Sequence, residues 1–173
     1  MLIPALEKAL NAQLNAEYYS SYLYLAKAAY FESVDLPGMA SWMRMQAVEE
    51  HAHAMRFYQY IIDRDGEVDL DQIAKPPKKW DSPRVVFENV LEHEREVTEL
   101  ISKLVGLALE NGDHATHNFL QWFVAEQVEE EATAKDVLSR VKLVGDNGQG
   151  LFLIDRELAE RRAPPAADDS PGA

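Results

Sequence analysis

Residues 47–58, AVEEHAHAMRFY, set Glu49, Glu50, His51 and His53 into what otherwise reads as the apolar middle of a helix. Glu50 and His53 are one turn apart, so on a helix they share a face. A carboxylate beside an imidazole can hold a divalent cation. In a chain with 27% charged residues one such pair arises readily by chance, so its meaning depends on what other segments bring to the same place.

Apolar residues at steps of three and four mark the buried stripe of each long helical pattern. The first stripe reads Leu10, Leu14, Glu17, Ser21, Tyr24, Ala28, Phe31, and the second Met39, Met43, Gln46, Glu50, His53, Phe57, Tyr60. The third reads Phe87, Val90, Glu94, Val97, Ile101, Leu104, and the fourth Leu120, Phe123, Gln127, Glu130, Ala134, Val137, Val141. Every stripe is broken near mid-length by a glutamate. Glu17, Glu50 and Glu94 each lie about 18 Å along their helices at the helical rise, and Glu130 sits near the middle of its own, so in a bundle all of them meet in one layer. Burying an unpaired carboxylate costs several kcal/mol, and a group of like charges needs protons or a cation. The layer is therefore expected to bind metal. Oxygen-rich ligation with a single imidazole favours iron or manganese over a closed zinc site, and shared carboxylates suit two adjacent divalent ions.

The elements that would position this layer are helices throughout; convincing period-two alternation is absent, and the chain reads as all-α. A first helix is expected from Pro4 to about Glu32, and a second from about Gly38 to Arg64. Ser82 and Pro83 form a cap and first-turn pair for a third helix, ending where Asn111 and Gly112 can adopt the left-handed conformation. Asp113 can cap a fourth that reaches about Val144, and residues 151–161 make a short fifth. Between the second and third helices lie about 17 residues, able to span up to roughly 55 Å. That linker can climb a bundle about 40 Å tall and leave the helices it joins parallel, one long crossover rather than a chain of simple hairpins. Residues 1–161 are expected to form one domain and residues 162–173, APPAADDSPGA in the main, a disordered tail.

A length of 173 residues with 47% hydrophobic content suits one domain with a sizeable core. No cysteine occurs, which excludes disulfides and thiolate ligands and fits a reducing cytoplasm. The opening residues do not read as a signal peptide, and no segment is long and apolar enough to span a membrane. A formal net charge of −13 disfavours nucleic acid as a partner and favours cations, although a solvated acidic surface would give the same number.

The segments NAEYYSSYLYL, EEHAHAMRFY, HEREVT and FLQWFVAEQVEEEA resemble the four helix cores of the prokaryotic non-haem ferritins, over about residues 5–161. This carboxylate bundle, with a long crossover, is a known variant of the four-helix bundle. The resemblance implies a ferritin-like fold with a short fifth C-terminal helix and a ferroxidase centre. One iron would be held by Glu17, Glu50 and His53, and a second by Glu94 and Glu130, with Glu50 bridging. An adjacent third site would draw on Glu49, Glu126, Glu129 and Glu130. Tyr24 and Gln127 match the family's tyrosine and hydrogen-bonding glutamine near the irons. The resemblance further implies a hollow cage of 24 subunits, in which Fe(II) is oxidised by O2 or H2O2 and stored as ferric oxide. Gln127 and Glu130 stand where bacterioferritins have a second Glu-x-x-His, and His51 stands where they have a haem-ligating methionine, so no haem is expected.

Other residues draw plainer expectations. His51 lies about 100° around the helix from Glu50 and reads as a surface or subunit-contact residue, and His93, beside Glu94, is read the same way. Tyr18, Tyr19, Tyr22 and Tyr30 read as packing or interface residues, Trp42, Trp80 and Trp122 as packing anchors, and Glu92, Glu96, Glu99 and Glu131 as a solvated face. Near the start of the fourth helix Asp113, His114 and His117 are mixed with Phe119 and Leu120, which establishes no acidic funnel for iron. Two other functions fit the same residues: a passive shell whose polar layer binds a cation without redox chemistry, and a free-standing di-iron oxidoreductase acting on peroxide. The fifth helix favours the cage over the latter, and the full ligand set favours catalysis over the former.

Overall fold

Prolines at Pro4, Pro37 and Pro83 each stand in the first turn of a helix, where a missing N–H costs no hydrogen bond. The computed structural model describes residues 2–160, and the helices are α1 (Pro4–Ser33), α2 (Pro37–Asp63), α3 (Pro83–Glu110), α4 (His114–Val144) and α5 (Gly148–Leu158). Ser82 and Asp113 act as the expected caps: their side chains accept from the backbone N–H of Val85 and Thr116, at 3.3 and 2.9 Å. At the end of α3 only Gly112 is left-handed, with φ of +65°; Asn111 stays at −98°. The expected tail, residues 162–173, lies outside the described residues.

The crossover can be followed along α1. Leu2 N–H donates to the Arg64 carbonyl where α2 ends. Asn11 and Asn15 then hold the linker carbonyls of Glu67 and Asp71 at 2.9 and 3.1 Å, and Trp80 meets Tyr30 near the far end of α1, with ring centroids 5.6 Å apart. The linker thus climbs the bundle, and α3 begins where α2 began: Phe87 packs against Phe31 and Trp42, each with centroids 5.6 Å apart. Consequently α2 and α3 run parallel, while α1/α2 and α3/α4 are antiparallel hairpins.

The fifth helix starts earlier and ends earlier than residues 151–161. Asn147 caps it by accepting from Gly150 N–H at 3.0 Å, which draws Gly148 and Gly150 into its first turn. It docks on the start of α2, where Asp155 Oδ1 accepts from Met39 N–H at 2.8 Å. A Cβ at Gly38 would come within 1.7 Å of the Asp155 carbonyl oxygen, so glycine is what permits this close approach.

The apolar core falls into two clusters. One, at the turn between α1 and α2, contains Tyr24, Phe31, Met39, Trp42, Phe87 and Val137; the other, at the opposite end, contains Leu10, Phe57, Ile61, Ile101, Leu120 and Phe123. On every long helix a polar residue separates the two: Glu17 lies between Leu14 and Tyr24, Glu50 and His53 between Ala47 and Ala54, Glu94 between Leu91 and Val97, and Gln127 with Glu130 between Phe123 and Ala134.

Candidate metal centre

Glu17, Glu50 and His53 converge from α1 and α2. All three are buried, and one potential ligand atom from each lies within 4.8 Å of the others. His53 Nδ1 is 3.4 Å from Glu50 Oε2, and Gln13, one turn before Glu17, donates to Glu17 Oε1 at 2.7 Å. Glu17 Oε2 is buried with no hydrogen-bond partner. An orphaned carboxylate oxygen aimed among two other donors is a structural cost unless a cation completes it.

Glu94 and Glu130 come from α3 and α4. Glu94 is held by the Tyr24 hydroxyl, which donates to Oε1, and by Gln127 Nε2, which donates to its backbone carbonyl at 3.1 Å. Gln46 Nε2 donates to Glu130 Oε2 at 2.8 Å. Electrostatics binds the two halves into one layer. Burial, then repulsion from Glu94 and Glu130, pushes the Glu50 carboxyl well above the usual range. Burial and then Glu50 do the same to Glu17, and burial raises Glu94 against the opposing hydrogen bonds from Tyr24 and Gln127. Burial and the charges of Glu94, Glu50 and Glu130 likewise push Tyr24 up, so it stays a phenol and a donor. Positive charge entering this layer would relieve all of these strains together.

The Ferritin-like domain family matches residues 7–144. The chain belongs to that family. Its relatives include the bacterial non-heme ferritin of Bacteroides fragilis strain 638R, 45% identical over 161 residues that span 93% of this chain and 100% of that one. The bacterial non-heme ferritin of Campylobacter jejuni is 37% identical, over 90% of this chain and 93% of the relative. Among solved structures, the open-pore ferritin of the hyperthermophilic archaeon Archaeoglobus fulgidus aligns with a TM-score of 0.93 at 47% identity, covering 94% of this chain and 100% of that chain.

Within this ferritin fold the remaining candidates spread outward. Glu49 and Glu126 are half-buried and Glu129 is exposed; they flank the layer but are not drawn into the tight Glu17, Glu50 and His53 group. His51 is exposed with its ring centroid 5.7 Å from that of Tyr18. His93 corrects the sequence reading: it is buried, not at the surface, with Nε2 2.8 Å from Ser20 Oγ. Burial, then the nearby Lys27 charge, lowers it to about 4, so it is neutral. Ser21, expected on the buried stripe, is half-buried and donates to the Ala47 carbonyl at 2.7 Å.

Stripe reading did not single out Gln13, Ser20 or Lys27, all fully or nearly fully buried on α1. Gln13 stands four residues before Glu17, a spacing at which an amide reaches the next turn, whereas Gln46 reaches across the bundle to Glu130. Trp122 meets His53 edge to face, with centroids 5.3 Å apart, and carries Arg56 3.9 Å above its ring.

Proposed function

We propose that this ferritin stores iron, and that Glu17, Glu50, His53, Glu94 and Glu130 form its ferroxidase centre. The observation that carries this reading is the buried Glu17, Glu50 and His53 group with an unpaired Glu17 oxygen, faced by two further carboxylates whose repulsion is felt at Glu50. Fe(II) is the substrate. Glu17 and His53 hold one ion, Glu94 and Glu130 the other, and Glu50 bridges them. Each ion gives up one electron, and the pair reduces O2 to H2O2, or H2O2 to water, with protons taken from the medium. Carboxylate charge favours the ferric product, and oxygen ligands exchange readily enough to let it move on.

Tyr24 and Gln127 act through Glu94. The phenol donates to Glu94 Oε1, and the amide donates to the Glu94 backbone carbonyl at 3.1 Å and to Oε2 at 3.4 Å, which fixes the orientation of the carboxylate beside the second ion. Glu49, Glu126, Glu129 and Glu130 form the adjacent third site through which iron passes. Twenty-four copies enclose the ferric oxide mineral, in the cytoplasm and without haem. Among the described residues no helix is long and apolar enough to cross a membrane.

Stopped-flow oxidation of Fe(II) tests the reading. A rapid phase saturating at about two or three irons per subunit, followed by slow retention of many more, is expected. Rapid oxidation without retention would point to a free-standing oxidoreductase, and binding without rapid oxidation to a passive shell.

A further inference from the structure

Lys27 is fully buried on α1, and its Nζ has no hydrogen-bond partner. The amine lies 5.0 Å from the centroid of the Tyr24 ring, whose hydroxyl donates to Glu94. A lysine placed there for packing alone would be a poor choice, since a methionine stem fills similar space without a charge to desolvate. Burial lowers the amine only to about 8, because Glu94 and Glu50 pull in the other direction. Near neutral pH it therefore keeps its proton, beside carboxylates that repel one another.

Resting on the metal-centre reading above, we infer that Lys27 is a positioning residue of that centre, a built-in cation that takes the place of metal charge on the Tyr24 and Glu94 side of the layer. It lowers the cost of ionising these carboxylates when no iron is present, acting through the face of Tyr24 rather than by a direct ion pair. It also opposes each incoming cation, because like charges interact strongly across a dry interior. The centre is thereby set to bind iron loosely enough to release it, as a transit site feeding a store requires. His93 does not share this task, since it is neutral and engaged with Ser20.

The test uses Co(II), whose visible absorption reports coordination and which is stable to air with oxygen ligands. Wild type, Lys27→Met and Lys27→Gln are titrated as the full-length assembly, and each is melted with and without metal. Both neutral variants should bind Co(II) about tenfold more tightly or better. Their Co(II)-induced rise in melting temperature should exceed that of wild type. A purely structural lysine would shift metal-free and metal-loaded melting equally and leave affinity alone; that result, or weaker binding in the variants, overturns the inference. If wild type shows no saturable Co(II) spectrum, the metal centre itself fails and the role of Lys27 with it. A saturable wild-type spectrum with unchanged variants removes the role of Lys27 alone.

Discussion

Two polar clusters in this bundle are built from similar residues and solved in opposite ways. At the end where α2 stops and α4 begins, the Arg64 guanidinium makes two bonds to Asp113, at 3.1 and 3.0 Å, and a third to Thr116 Oγ1 at 3.1 Å. Thr116 N–H and the Tyr60 hydroxyl complete the group at 2.9 and 3.0 Å. Charges there cancel, and the side chains bond one another. In the middle layer carboxylates outnumber cations, and Glu17 Oε2 and Lys27 Nζ remain unpaired. The first cluster ties two helix ends together; the second holds an imbalance that an incoming cation would relieve. A satisfied network supports structure, whereas an unsatisfied one in a packed core marks a site of chemistry.

The largest expected effect falls in the middle layer. Glu50→Ala should slow the rapid phase of Fe(II) oxidation by about a hundredfold or more, since it removes the shared ligand, while size exclusion shows the assembly intact. Oxidation at the wild-type rate would mean that the layer is not where electrons leave iron. Arg64→Ala should leave that rate unchanged and instead destabilise the fold by about 1 to 2 kcal/mol, because half-buried Asp113 loses its charge-assisted hydrogen bonds; chemical denaturation reads this directly.

The two clusters should also answer pH with opposite signs. Folded-state carboxyls raised above their unfolded values contribute stability that is lost as pH rises, so metal-free protein should lose stability as pH climbs above the ordinary carboxyl range, because burial and mutual repulsion raise Glu17, Glu50 and Glu94. The buried neutral ring of His93, lowered to about 4 in the folded protein, opposes this trend below the ordinary histidine range. Asp113 behaves the other way. Burial alone would raise it, but Arg64 and the Thr116 N–H hold it at about 2. Its contribution is complete above an unfolded value near about 4 and is lost only as pH falls towards 2. Saturating metal should flatten the loss of stability with rising pH and leave the acid limb in place. The smallest effect is Thr116→Val, expected to cost about 1 kcal/mol for its lost hydrogen bonds and to leave oxidation untouched.

Much of this contrast was legible in the sequence, for identifiable reasons. Helix starts were marked by prolines and by Ser82 and Asp113, and the parallel arrangement of α2 and α3 followed from linker length. The layer showed because glutamates interrupt four apolar stripes at one height. What escaped depends on how many neighbours a helix has. Because α1 packs against both α2 and α3, its buried face is wider than one stripe, which brings in Gln13, Ser20 and Lys27. His93 is buried because it meets Ser20 on that wider face, a contact that the local pattern of α3 does not encode. The early start of α5 turned on the Asn147 side chain, whose cap outweighs the helix-breaking tendency of the adjacent glycines.

The central claim is that the mid-bundle imbalance exists to receive iron. Crystals soaked with Fe(II) under anaerobic conditions and measured at the iron absorption edge test it most directly. The account predicts anomalous peaks within the layer, one among Glu17, Glu50 and His53 and a second shared by Glu50, Glu94 and Glu130. Peaks confined to the protein surface, with the layer empty at saturating Fe(II), would contradict it.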